Sequence, residues 1–132
     1  MTPPNYAAVA YIGGLDGLVL CVWNRRYDGW GLPGGKGEAD EFPIDTLVRE
    51  LREETSLEAT AAMLVYRARS CTSDRMVHVY AVLATGIAKS MEPGSPIGWM
   101  RRSVLIDRSP FKTFYVDMFA ELDQHVIALD LR

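Results

Sequence analysis

The sequence predicts one domain of mixed α and β structure, with elements in the order strand–strand–helix–strand–strand–helix. Three observations support this prediction. A length of 132 residues suits a single domain, residues 1–132, with its own core. Apolar residues make up 48% of the chain and charged residues 23%, which is the balance of an ordinary globular protein. Apolar segments of strand length alternate with stretches of helical periodicity, and no repeat or linker divides them.

Two strands and a glycine-rich loop are predicted in the first third of the chain. YAAVAYI (6–12) and LVLCVWN (18–24) have the composition of strands. Leu-Asp-Gly at 15–17 is typical of a hairpin turn between them, because Asp-Gly tolerates positive φ. Residues 25–37 follow as a loop with a short extended piece around residues 30–32.

The rest of the chain is predicted to contain two helices and two long strands. The first helix runs from about residue 43 to residue 55, and the strands occupy about 58–70 and 76–85. EPGSP at 92–96 is a loop, IGWM begins a short element, and SVLIDRSP is a loop that could contain a helical turn. The last helix covers 113–128. Its apolar residues recur at helical spacing and predict core packing: Phe114, Met118, Phe119, Leu122 and Val126.

Composition excludes several classes of protein. The net charge of −3 argues against a general nucleic-acid binder. No apolar run approaches the roughly 20 residues that cross a bilayer, and the N-terminus lacks the pattern of a secretory signal. Cys21 and Cys71 lie in apolar, strand-like surroundings, which favours buried free thiols over a disulfide or a nucleophile. These features fit a protein of the reducing cytoplasm without membrane partners.

The first helix gathers three glutamates that we call the acidic rim: Glu50, Glu53 and Glu54. With about 100° per residue, they form an arc about 100° wide beside an apolar face of Ile44, Leu47, Val48 and Leu51. Arg49 and Arg52 are predicted to lie away from the core. Taken alone, the rim is compatible with a solvated acidic edge or with a site for a divalent cation, which prefers carboxylate oxygens.

The segment before this helix, GWGLPGGKGEADE at 29–41, is rich in glycine. It is not a dinucleotide-binding loop, because Pro33 interrupts it and the helix begins only at Pro43. It is not a Walker A motif either. That motif would need glycine at position 30 and serine or threonine at position 37, where the chain has Trp30 and Gly37.

Read together, the loop and the helix have a specific spacing. Gly35 is followed by five residues, Glu41, seven residues, Arg-Glu-Leu-Arg-Glu-Glu at 49–54, one residue, Ser56 and Leu57. This resembles the Nudix box, G-x5-E-x7-R-E-U-x-E-E-x-G-U with U aliphatic, at eight of its nine specified positions. The box covers residues 35–57. The resemblance implies the Nudix fold, an α/β/α sandwich with a mixed β-sheet.

The resemblance also implies an enzyme that hydrolyses a nucleoside diphosphate linked to another group, with Mg²⁺ or Mn²⁺ as cofactor. It makes Glu50, Glu53 and Glu54 the metal ligands, and Arg49 a partner that orients Glu41 or Glu50. Gly35, helped by Gly34, would let backbone approach the metal and the phosphates. Among the carboxylates we favour Glu53 as the catalytic base.

Further candidates lie outside the box. MEPGSPIGWM resembles a segment of the MutT-type branch of this family, which makes Glu92 a candidate extra ligand or base; a solvated loop acid is the alternative. Four residues are candidates for substrate binding: Arg25, Arg26, Lys36 and Trp30. For the basic residues, plain surface charge is the alternative. Trp23, Tyr27 and Phe111 could also stack on a nucleobase; for these rings, as for Trp30, simple packing is the alternative. His78 is expected to be a hydrogen-bonded, partly buried residue.

The chain departs from the family pattern in three places. Ser56 replaces the box glycine, where a left-handed residue ends the helix, which should cost on the order of 1 kcal/mol of stability but no chemistry. Phe42 occupies the N-cap, a position where serine or threonine is common, and Asp45 partly compensates. SPFKTFYV lacks the asparagine with which the MutT-type branch reads its purine, which argues against an oxidised-guanine substrate.

The predicted function is hydrolysis of a small nucleotide, for which a nucleoside or deoxynucleoside triphosphate is the favoured substrate. ADP-ribose, nucleotide sugars and diadenosine polyphosphates are alternatives, and an RNA 5′ end is disfavoured by the acidic balance. A Nudix module that senses a nucleotide without turnover is the alternative of another class. The sequence is compatible with a homodimer but does not predict the oligomeric state.

Overall fold

A computed structural model describes residues 4–70 and 72–130, with residues 126–130 described by their helical backbone. The strands are β1 (Tyr6–Tyr11), β2 (Val19–Asn24), β3 (Gly29–Gly31), β4 (Gly34–Lys36), β5 (Glu58–Arg69), β6 (Met76–Thr85) and β7 (Ile97–Met100). The helices are α1 (Pro43–Thr55), α2 (Arg102–Arg108) and α3 (Lys112–Asp130). None of these helices is both long enough and apolar enough to span a membrane.

The strands form two sheets. The larger has the order β4-β1-β6-β5, in which β1 and β6 are parallel and the other pairs antiparallel. The smaller is the antiparallel sheet β3-β2-β7. The large sheet is therefore mixed, as predicted.

Helices cover both faces of the large sheet. Ala8 and Ala10 of β1 belong to the core cluster that contains Leu47 and Leu51 of α1. Their neighbour Val9 faces the other side, where it packs against the cluster formed by α2, α3 and parts of the strands. Successive side chains of a strand point to opposite faces, so β1 serves both clusters. The result is the predicted α/β/α sandwich.

The predicted hairpin between the first two strands forms at its turn but does not continue into paired strands. Asp16 and Gly17 do adopt positive φ, at 57° and 75°, but β1 and β2 lie in different sheets. The turn closes a short antiparallel contact: Gly13 bridges Val19, the Gly14 N–H donates to the Leu18 carbonyl at 2.7 Å, and the Leu20 N–H donates to the Ile12 carbonyl at 3.1 Å. The physical reason is that other strands occupy both edges of each: β4 and β6 pair with β1, and β3 and β7 pair with β2.

Short elements account for the other differences. The predicted loop at 25–37 contains β3 and β4, and the loop SVLIDRSP contains the seven-residue helix α2. The apolar stripe of α3 packs as predicted, because Met118, Phe119 and Leu122 are buried and Phe114 packs against them. The side chain of Val126 lies outside the described residues.

The structure tests the prediction of a buried free thiol for one of the two cysteines. Cys21 is a buried free thiol, and burial raises its pKa to about 12, so it is no nucleophile at neutral pH. Cys71 lies outside the described residues, and the prediction for it stays a prediction. His78 is partly buried, with its ring edge-to-face to Tyr6 at 5.8 Å between centroids.

Helix α1 has the predicted bounds and buries Leu47 and Leu51 of the predicted apolar face, but the buried face is shifted around the helix. Thr46 and Thr55 are fully buried, whereas Ile44 is 38% exposed. The side chains of Leu47 and Leu51 pack with the small alanines Ala8 and Ala10 of β1 in one core cluster. The helix begins with the Phe42 N–H donating to Asp45 Oδ2 at 3.0 Å, and it ends at Ser56, whose φ of 69° is left-handed as predicted.

Candidate active site

The acidic rim of α1 lies directly against the glycine turn of β4. The Gly34 N–H donates to Glu54 Oε1 at 2.7 Å. A Cβ built on Gly35 would lie 2.5 Å from the carboxyl carbon of Glu50, so only glycine allows this approach. A solvated acidic edge is therefore the wrong interpretation for Glu50 and Glu54; only Glu53, with a side chain 50% exposed, is solvated.

This arrangement concentrates negative charge where water is scarce. Burial raises the pKa of Glu54 to about 8, against the opposing effect of the Gly34 hydrogen bond, and Glu50, Glu92 and Glu53 raise it further. Burial also raises the pKa of Glu50, although Arg49 opposes the change. A cation bound among these carboxylates would offset both the desolvation and the mutual repulsion.

Arg49 lies inside this group of carboxylates, where it is partly buried by polar neighbours. Its side chain is 22% exposed, and its Nε donates to Glu41 Oε2 at 2.7 Å. One terminal nitrogen contacts Glu50 at 3.0 Å and Glu53 at 3.2 Å. The other donates to the carbonyl of Lys36 at 3.1 Å. Arg49 thus pairs with both of the carboxylates that the sequence offered as alternatives, and it also ties α1 to β4.

Among the acidic side chains around the glycine turn and α1, Glu41 accepts the most hydrogen bonds. Its carboxylate accepts hydrogen bonds from Arg49, from the backbone of Glu38 and from the hydroxyl of Thr46. The hydrogen bond from Arg49 is the main reason that the pKa of Glu41 falls to about 2. Glu41 is consequently ionised throughout the neutral range.

Glu92 reaches the site because its loop closes the end of α1. The N–H groups of Lys89 and Met91 donate to the carbonyls of Thr55 and Glu54, at 3.0 and 3.2 Å. Such bonds satisfy carbonyls that have no partner within the helix. They bring Glu92 to the same cleft as Glu54, close enough to raise the pKa of that carboxyl group.

A cleft of about 350 Å³ runs between the two sheets beside the acidic rim. It is lined by Glu54, Gly34, Gly35 and Glu92, and also by aromatic rings. The rings come from distant parts of the chain: Trp23, Tyr27, Trp30, Phe111, Phe114 and Tyr115. Glu50 and Glu53 do not line this cleft; they contact Gly35 and Arg49 instead.

Packing between rings holds the aromatic wall in place. Trp23 and Trp30 meet edge-to-face at 5.6 Å, and Tyr27 meets Phe111 at 5.0 Å. The hydroxyl of Tyr115 accepts the Leu32 N–H at 3.1 Å, which fixes the bend between β3 and β4. Rings held in this way present preformed faces on which a nucleobase could stack.

The predicted basic residues divide into two groups. Arg26 and Lys36 line the cleft. Arg25 does not; its guanidinium lies against Gly94, where a Cβ would be 3.0 Å away. Sequence reasoning missed Ser70, Thr72 and Arg75, which line the cleft from the β5–β6 turn. No local pattern marks them, because the parallel pairing of β1 with β6 brings them there.

The donor set fits a hard divalent ion. Within the side chains that the structure describes, those of residues 4–70 and 72–125, no three acidic, histidine or cysteine groups are preassembled as a metal-binding group. Glu50 and Glu53 are instead held by Arg49, and Glu54 by Gly34. However, carboxylate oxygens predominate around Gly34 and Gly35, and among the described residues no cationic side chain pairs with the largely buried Glu54. This is the chemistry that Mg²⁺ and Mn²⁺ prefer.

Two curated relatives match parts of the chain. The chain is 44% identical over 52 residues to a CTP pyrophosphohydrolase of Escherichia coli strain K12, which covers 39% of the chain and 38% of that protein. It is 48% identical over 42 residues to an RNA pyrophosphohydrolase of Xanthomonas campestris strain B100, which covers 32% of the chain and 20% of that protein. The chain thus spans less than half the length of each of these relatives.

Solved structures match over most of the chain. The ORF135 protein of Escherichia coli has a TM-score of 0.69 and 27% identity, with 89% of each chain covered. A MutT structure from work on Aliivibrio salmonicida and Vibrio cholerae has a TM-score of 0.73 and 21% identity, covering 90% of this chain and 97% of that one. At that identity the likeness shows the fold alone.

A family model covers nearly all of the chain. The model of the NUDIX domain matches residues 2–122. This span contains the whole box, both sheets and most of α3, and it agrees with the site geometry and with the structural neighbours. The chain therefore belongs to the NUDIX domain family.

Proposed function

We propose that this protein is a metal-dependent hydrolase that cleaves a pyrophosphate bond of a small nucleotide, with a nucleoside or deoxynucleoside triphosphate as substrate. One observation carries the proposal: a single cleft joins the Glu54–Gly34 contact to a wall of aromatic rings. Its volume of about 350 Å³ lies in the range of small-molecule sites. Relatives named as pyrophosphohydrolases support the same class of reaction.

In this proposal the acidic rim and Glu92 hold Mg²⁺ or Mn²⁺, and the backbone of Gly35 approaches the metal and the phosphates. The bound metal would neutralise phosphate charge and make water a better nucleophile. Glu53 is our candidate for the base that accepts the proton of the attacking water, since it is the rim carboxylate most open to solvent.

The remaining contacts position the substrate. Arg26 and Lys36, which line the cleft, would bind the phosphates as cations. Trp30 and its neighbouring rings would stack on the base. The substrate is small in this proposal, because the net charge of −3 disfavours binding to the backbone of a long nucleic acid. We further propose a cytoplasmic location, which the buried free thiol of Cys21 fits.

The test is a panel of nucleotides with Mg²⁺, in which release of phosphate or pyrophosphate is followed by anion chromatography. The panel contains the common nucleoside and deoxynucleoside triphosphates, ADP-ribose, a nucleotide sugar and diadenosine polyphosphates. Wild-type protein is compared with Glu53→Gln and Glu54→Gln, and Arg52→Gln is the control because Arg52 pairs with Glu58 at 2.6 Å, outside the site.

We expect turnover of a triphosphate by the wild type and by Arg52→Gln, and its loss in both glutamate variants. Hydrolysis of ADP-ribose or of a dinucleotide alone would keep the site and change the substrate. Tight binding without any release would mean that the protein senses nucleotides. Turnover that survives both glutamate substitutions would refute the assignment of the acidic rim.

A further inference from the structure

Two hydroxyl groups outside the nine specified box positions meet at Glu41. The Tyr6 hydroxyl donates to the Glu41 backbone carbonyl at 2.8 Å and lies 2.9 Å from Thr46 Oγ1. The Thr46 hydroxyl donates to Glu41 Oε1 at 2.8 Å. The backbone and the side chain of Glu41 are therefore each held by a different element, β1 and α1.

The constraint on Glu41 passes to Arg49. Glu41 Oε1 accepts from one terminal nitrogen of Arg49 at 3.1 Å, and Oε2 accepts from Nε at 2.7 Å. This two-point contact fixes the plane of the guanidinium. The remaining nitrogen then faces Glu50 and Glu53 of the acidic rim. The orientation of two rim carboxylates thus depends on the orientation of Glu41.

Tyr6, the first residue in this series of contacts, lies on a strand that has a partner on each edge. Tyr6 lies on β1, which pairs with β4 on one side and β6 on the other. Its carbonyl accepts the Gly37 N–H at 3.0 Å. Its ring covers Gly37 so closely that no Cβ would fit there, and it meets His78 edge-to-face. Tyr6 therefore also holds the loop between β4 and Glu41.

We propose that the hydroxyls of Tyr6 and Thr46 are positioning groups for the acidic rim, acting through Glu41. Thr46 has no exposed surface, and a valine would have nearly the same shape there. Burying a hydroxyl group costs stability unless it is hydrogen-bonded, and the buried Thr46 hydroxyl donates to the carboxylate of Glu41. The inference rests on the proposed function, because it assigns the rim to a metal.

The chain offers a matched set of variants on one helix. Thr46→Val removes the hydroxyl and keeps the shape, whereas Thr46→Ser keeps the hydroxyl. Thr55→Val is the control, because Thr55 is equally buried on α1 but donates to the Leu51 carbonyl at 2.7 Å, outside this network. Tyr6→Phe is the second test variant and retains the ring that covers Gly37.

Three quantities are measured for each variant. Mn²⁺ affinity is determined by electron paramagnetic resonance without nucleotide. The turnover number and KM are determined for the substrate found in the panel. Hydrogen exchange of the Arg49 Nε–H is followed by NMR in metal-free protein, with Arg49→Lys used to assign the signal.

For Thr46→Val we expect about tenfold weaker Mn²⁺ binding, a lower turnover number with KM unchanged, and faster exchange at Arg49. Tyr6→Phe should change in the same direction. Thr46→Ser should remain within about twofold of wild type. Thr55→Val should lower the melting temperature and leave the other quantities unchanged.

Unchanged Mn²⁺ affinity and Arg49 exchange in Thr46→Val would overturn the inference. So would an equal effect of Thr55→Val, since the cause would then be general destabilisation. If the wild type neither binds Mn²⁺ nor turns over any nucleotide, the proposed function fails. The exchange rates of Arg49 then decide alone whether the hydroxyls hold it.

Discussion

Replacing Glu54 with glutamine should stabilise the metal-free protein at neutral pH, although it removes a residue of the proposed metal site. The carboxyl group is largely buried, and burial together with Glu50, Glu92 and Glu53 raises its pKa to about 8. Glutamine has almost the same shape, cannot ionise, and keeps an oxygen that can accept the Gly34 N–H.

The magnitude follows from the two protonation equilibria. In the unfolded chain Glu54 loses its proton near its ordinary pKa of 4.5, whereas the folded protein retains the proton up to about pH 8. The unfolded state is thus favoured as pH rises between these values, by about 1.4 kcal/mol per pH unit. At pH 7 the penalty is roughly 3 kcal/mol, and it is nearly absent at pH 4.

The assay is urea unfolding in EDTA at pH 4 and pH 7. Glu54→Gln should gain about 2–3 kcal/mol at pH 7 and little at pH 4, while the control Glu121→Gln, an exposed position on α3, should change at neither pH. Added Mg²⁺ should stabilise the wild type more than the variant. A variant that is no more stable than wild type at pH 7, or whose gain is equal at both pH values, would refute the reasoning.

Three further predictions concern single positions around the box. Ser56→Gly should raise stability by about 1 kcal/mol in urea unfolding, because Ser56 has a φ of 69°, and should leave turnover unchanged; much higher turnover would contradict this. Gly35→Ala should reduce turnover by on the order of 100-fold, because the added Cβ would displace the Glu50 carboxylate. A near-normal rate would show that turnover does not need the close contact between Glu50 and the Gly35 backbone. Arg49 lowers the pKa of Glu41 to about 2, so Glu41 contributes stability that is complete above pH 4.5 and lost as pH falls towards 2. In urea unfolding, the stability advantage of wild type over Glu41→Gln should therefore shrink over that pH range. A difference that stays constant with pH would exclude the ion pair as its source.

Local signals in the sequence predicted most of the long elements. Pro43 and the spacing of the leucines gave the bounds of α1, and two long stretches of mostly apolar residues gave β5 and β6 to within one residue. The extended piece predicted around residues 30–32 overlaps β3, whereas β4 was not predicted, because its glycines carry no pattern of alternation. The hairpin error at residues 15–17 arose because a turn constrains its own dihedrals but not the sheet that each strand joins.

The residues of the candidate site also divide into those that a local sequence signal predicted and those that had no such signal. The box spacing identified the acidic rim, Arg49 and the two glycines, which the fold brings together. The burial of Thr46 could have been suspected, since it lies on the same helical arc as the glutamates. Arg75 of the cleft had no such signal, because its position depends on the pairing of β6 with β1, which is not encoded near residue 75.

The most direct test of the account is to locate the metal. Crystals would be grown with Mn²⁺ and a non-hydrolysable nucleoside triphosphate analogue, and anomalous scattering would be measured at the manganese absorption edge. We predict a peak within bonding distance of at least two carboxylates of the acidic rim, beside Gly35 and at the mouth of the aromatic cleft. Manganese bound elsewhere, with Glu54 still held only by Gly34, would contradict the claim that this helix and glycine turn exist to bind a divalent ion.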